Sequence, residues 1–180
     1  MKEKGINKSE IVALLQSGHE ERIAEAVAML RENGDSSFLP EVIFVLNDSK
    51  DPLTIRSILG LLADIKHTNA IPYIIDGIKH ATNQEVQRSL VSICWENGMD
   101  FCPYISLFVD LVLQKDFIVA FEAFTVIENM EGIVDDKEKE RLVTLIESQL
   151  PDATSEKEGM LLDLIQIIPN IKPAESYESR

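Results

Sequence analysis

The chain has 180 residues, 45% of them apolar, and a formal net charge of −14. That is enough chain to bury a continuous core, and it is too apolar for a disordered polymer. So acidic a surface repels phosphate backbones, and Lys2, Lys4 and Lys8 are too few to make a basic stripe, which argues against a nucleic-acid partner.

In chain order the helices announce themselves in pairs. Ile23, Ala26, Val27 and Leu30 are spaced i, i+3, i+4 and i+7, one apolar stripe of an α-helix. The next unit starts at Leu39-Pro40, where a proline in the first helical turn costs no hydrogen bond, and continues through Val42, Ile43, Val45 and Leu46. After the polar turn of residues 47–51, the stripe returns as Ile55, Ile58, Leu59 and Leu62. Ile71-Pro72 opens the third unit, and its second stripe is Gln87, Leu90, Val91 and Cys94, with one polar member. Cys102-Pro103 opens the fourth, and Leu161, Leu164, Ile165 and Ile168 form the second stripe of a fifth. Gly34 and Gly98 follow second helices where a left-handed cap is wanted.

These units share one step. Glu32, Asp64, Glu96 and Glu128 recur every 32 residues, as do Leu30, Leu62, Cys94 and Val126, and Val27, Leu59, Val91 and Ala123. Such self-similarity means stacked copies of one small unit. Five helix pairs are expected, near residues 8–34, 36–66, 69–98, 101–132 and 135–170, forming a single domain over 1–172. The last pair is out of step, with extra length near residues 132–136 and 150–154, and a disordered tail is expected over 173–180.

The stretch Leu39-Pro40 to Asp48 and then Thr54-Ile55-Arg56-Ser57 resembles a HEAT repeat, as does Ile71-Pro72 followed by Val86-Gln87-Arg88-Ser89. The likeness rests on the proline of the first helix, the acidic turn residue and the arginine of the second helix. It implies an all-α fold, a right-handed α-solenoid of the HEAT or armadillo kind. It also implies that Arg56 and Arg88 brace the turn, Arg56 by pairing with Asp48 or Asp51. The 32-residue step is closer to compact bacterial versions of the unit than to the ~40–47 residues of longer ones. Ala24 and Ala120 replace the arginine in the flanking units.

By the same resemblance, second helices line a concave face. Its outward residues are Glu21, Glu25, Ala28 and Glu32, then Leu53, Ser57, Gly60 and Asp64, then Glu85, Ser89, Ser92 and Glu96, with Trp95 on the flank. The fourth unit instead offers Phe117, Phe121, Phe124 and Glu128. Two readings of these phenylalanines stand. They form an exposed patch that marks an interface, or the fifth pair folds across and buries them. The function expected is a non-enzymatic scaffold that binds a protein or a basic or amphipathic peptide. Alternatives are a HEAT-like enzyme, similar to the DNA alkylation-repair glycosylases or the phycobilin lyases, or a structural subunit of a larger assembly.

Chemistry-bearing residues are sparse. Cys94 and Cys102 fall at core positions, which fits neither a zinc site nor a disulfide framework. Asp135, Asp136, Glu138 and Glu140 bunch at a helix start, where capping explains them better than a metal does. No cofactor and no catalytic residue is expected. The N-terminus lacks a signal-peptide core, and residues 117–127 are too short to span a bilayer, so a cytoplasmic location is expected.

Overall fold

Between residues 36 and 128 two kinds of signal start the helices, and they alternate. A computed structural model describes residues 7–33 and 36–172, so Gly34 and the tail expected to be disordered lie outside the described residues. The helices are α1 (Lys8–Leu15), α2 (Glu20–Asn33), α3 (Leu39–Asp48), α4 (Pro52–Asp64), α5 (Ile71–His80), α6 (Gln84–Glu96), α7 (Ile105–Gln114), α8 (Phe117–Glu128), α9 (Asp136–Gln149) and α10 (Ser155–Ile167). Each of α3, α5 and α7 follows a short 3-10 turn. Pro40 and Pro72 sit in the first turns of α3 and α5, while Pro103 lies in the 3-10 turn ahead of α7. The second helices α4, α6 and α8 begin instead on a side-chain cap. Asp51 accepts from the Thr54 N–H at 3.0 Å, Asn83 from Glu85 at 2.8 Å and Asp116 from Ile118 at 2.9 Å. Each cap satisfies a backbone donor that the helix cannot, worth about 1 kcal/mol.

No strand occurs among the described residues, and the chain divides into two compact units, one ending at Asn97 and the other beginning at Gly98. In the first unit α1 packs on α2, α3 on α4 and α5 on α6. The first helices also pack in sequence, α1 on α3 and α3 on α5, and so do the second helices, α2 on α4 and α4 on α6. In the second unit α7 packs on α8 and α9 on α10, with α7 against α9 and α8 against α10. Gly98 follows the last residue of the first unit with φ +65°, a left-handed conformation that an L side chain resists.

The repeated rows form the cores. Leu30, Leu62, Cys94 and Val126 are all buried, as are Ile23, Val91, Val119 and Ala123, while Val27, Ile55 and Leu59 are half-buried. Full burial of such a side chain contributes roughly 1.5–3 kcal/mol. The polar member of the row has a backbone reason. Gln87 is buried and its Nε2 donates to the Ile78 carbonyl at 2.9 Å, holding α6 against the last turn of α5. Phe101 and Phe108 meet edge-to-face at 6.2 Å in the core of the second unit.

Lysines tie distant ends together. Lys8 donates to the Ser37 carbonyl at 2.7 Å, Lys66 to Asn97 at 2.7 Å and Lys139 to Ile171 at 2.8 Å. Lys157 of α10 donates to three carbonyls at the end of α7, those of Val112 (2.9 Å), Leu113 (3.3 Å) and Lys115. A cation at a helix C-terminus also meets the negative end of the helix dipole.

The extra length before the fifth pair has a use. Gly132 N–H donates to the Lys172 carbonyl at 3.2 Å, joining the α8–α9 connection to the segment after α10. A Cβ on Gly132 would lie 2.6 Å from Cys102 Sγ and 2.8 Å from Asp100 Oδ1, so any larger residue would have to displace those side chains.

Candidate functional site

Asp116 fixes where α8 starts, and with it which side chains point outward. The buried residues Ala120, Ala123, Phe124 and Ile127 stand at i, i+3, i+4 and i+7, with Val119 and Val126 buried beside them. The opposite side of the first turns is left with Phe117, Ile118 and Phe121, which are 41%, 55% and 50% exposed. The Phe117 and Phe121 rings stack, with centroids 6.1 Å apart and planes at 29°. Three adjoining exposed apolar side chains on one helix form a patch of the kind that marks interfaces.

Phe124 corrects the expected site. It stands seven residues after Phe117, nearly in register on a helix, yet it is only 8% exposed. Its ring falls at the edge of the buried stripe of Ala120, Ala123 and Ile127. α8 is apolar over more than half its circumference, so its buried arc reaches further than a four-residue stripe suggests. Ile118 is the converse case, an exposed apolar residue that stripe reasoning passed over. Its signal was its place beside the core residue Val119 on a helix with few polar positions.

The remaining site residues are placed as follows. Glu128 is exposed at the last turn of α8. In the first unit Trp95 is 40% exposed, and Ser92 donates to Glu96 at 2.6 Å along the same helix. Asp64 is exposed and forms an ion pair with Arg31. Near that pair a cavity of about 260 Å³ is lined by Leu30, Phe38, Val42 and Leu61 among others. Thus Phe117 meets Phe121 and Ser92 meets Glu96, while Asp64 engages a side chain from the neighbouring second helix instead of any of these.

The turn brace differs from its expected form. The Asp51 carboxylate takes the Thr54 N–H at 3.0 Å and the Thr54 hydroxyl at 2.6 Å, which lowers its pKa. Thr54 in turn reaches the Leu15 carbonyl at 3.2 Å. Arg56 is exposed and pairs with neither Asp48 nor Asp51; a helix cap close in sequence outcompetes a long side chain that must be ordered. Arg56 and Arg88 both line a cleft at the starts of α4 and α6.

The acidic cluster of α9 is engaged locally. Asp135 caps the helix, accepting from Lys137 N–H at 3.0 Å and Glu138 N–H at 3.4 Å. Glu138 accepts two hydrogen bonds from Arg141, each 2.7 Å, and one from the Ser106 hydroxyl of α7 at 2.5 Å. Arg141 and Ser106 hold its carboxyl down at about 2. Because the folded value lies below the unfolded one, the network adds stability above about pH 4.5 that is lost as pH falls towards 2. Glu138→Gln is therefore expected to flatten the acid limb of stability between those values, as read by urea midpoints measured at successive pH. An unchanged slope would mean the ion pair does not persist in solution.

Among the described residues no group of three or more His, Cys, Asp or Glu side chains could hold a metal ion. Both cysteines are buried. Burial raises the thiol pKa of Cys94, and burial with the neighbouring Asp100 pushes Cys102 up to about 12, which leaves neither as a thiolate nucleophile at neutral pH. Among the described residues no helix is long and apolar enough to cross a membrane. Comparison with models of known protein families finds no match, and neither does comparison with curated proteins.

Proposed function

We propose that the chain is a non-enzymatic protein- or peptide-binding scaffold, built of HEAT-like helix pairs and working through the outward face of its second helices. The stacked, exposed Phe117–Phe121 pair is the observation that carries this reading. Large rigid aromatics supply binding energy at little entropic cost, and a solvent-facing stack has no use for the fold that a polar pair would not serve better. With Ile118 beside the rings and Glu128 further along the helix, the face suits an amphipathic segment with basic residues. The net charge of −14 would steer such a partner over longer range.

Selection from a random peptide library on the full chain tests it. Binders are expected to combine apolar with Lys or Arg residues, and to lose tenfold or more in affinity against Phe117→Ser/Phe121→Ser. The double variant should keep its helical circular dichroism, since both side chains face solvent. Peptides that bind it as tightly as the wild type would overturn the site, and a selection without binders would overturn the function.

A further inference from the structure

In a chain with 17 basic and 31 acidic side chains, cations gather at one place in the first unit. A cleft of about 610 Å³ lies between the starts of α4 and α6, lined by Lys50, Arg56 and Arg88 with Glu85 as its single acid. Ile55 and Leu59, both half-buried, add an apolar wall. Arg56 and Arg88 are one 32-residue step apart, so they occupy equivalent positions on helices packed side by side, with axes about 8–10 Å apart. Lys50 and Arg56 have no hydrogen-bond or ion-pair partner among the described residues. Asp51, the nearest acid in sequence to both, has its carboxylate on Thr54.

Lys50 and Arg56, both unpaired among the described residues, share this cleft with Arg88 and a single lining acid, which reverses the charge balance of the chain as a whole. The overall field repels a long polyanion, while a compact ligand with one or two negative charges feels chiefly the cations it touches. The volume lies within the roughly 300–1,000 Å³ of small-molecule sites, and a guanidinium fork matches carboxylate and phosphate oxygens two at a time. We propose that this cleft binds a small ligand carrying an anionic group, a carboxylate or a phosphate monoester, on an apolar body. The proposal does not draw on the aromatic residues of α8.

Amide NMR titration of the full chain with phenyl phosphate, phenylacetate and the uncharged benzyl alcohol tests the proposal. At least one anion is expected to give saturable shifts clustered at residues 49–59 and 83–89, and whichever does so identifies the source of the negative group. Benzyl alcohol should give none. Lys50→Gln and Arg56→Gln, both solvent-facing and so compatible with the fold, should each weaken binding by about tenfold. The proposal is overturned if neither anion saturates at millimolar concentration, if benzyl alcohol binds equally well, or if both variants bind as the wild type does.

Discussion

Phe124→Ala is expected to lower the unfolding free energy by about 3–5 kcal/mol, while Phe117→Ala and Phe121→Ala each cost under about 1 kcal/mol. The three residues share one helix and one side-chain type, so the contrast isolates burial. Phe124 belongs to the buried arc of α8, and truncating it to alanine removes most of a large side chain from the core and leaves a cavity. Phe117 and Phe121 lose only their mutual stacking, worth about 0.5–1.5 kcal/mol at most, and part of that is recovered by hydration. Urea unfolding followed by far-ultraviolet circular dichroism reads all three. Equal costs for Phe121 and Phe124 would show that the aromatic row is core throughout and would remove the proposed binding face.

Lys157→Met is expected to cost about 2–3 kcal/mol, although it deletes a charge from a partly accessible position. The ammonium group holds the carbonyls of Val112, Leu113 and Lys115, which terminate α7. Without it these acceptors keep only the water that can reach them, and α10 loses its polar tie to the end of α7. Lys137→Met is the control, since Lys137 is exposed at the start of α9 and should move stability by less than about 0.5 kcal/mol. If the two variants unfolded at the same urea concentration, the lysine would be a surface contact with no structural role.

The local parts of this fold were legible because their causes are local. Asp51, Asn83 and Asp116 precede apolar stripes and cap α4, α6 and α8, and Gly98 takes the left-handed conformation that its place after a helix implied. Cys94 and Cys102 are buried as their rows required. Of the outward positions read from the repeat, Glu32, Asp64, Glu96, Phe117, Phe121 and Glu128 are exposed, and only Phe124 turned inward.

What escaped the sequence depends on distances between residues far apart in the chain. Gln87 is a polar interruption in an apolar row until Ile78 is seen to need its amide. Lys157 carries no mark distinguishing it from the solvated lysines, because its acceptors lie more than forty residues earlier. Arg56 was drawn to an acid by resemblance, but Thr54 is nearer to Asp51 and needs less ordering, so the arginine is left lining a cleft. Periodicity and short-range hydrogen bonds fix the helices, their caps, their 32-residue step and most of which side chains face water. Long-range packing settles which of the three phenylalanines is buried and which cationic side chains line one cleft. Both depend on how wide an arc each helix buries, and packed neighbours set that arc.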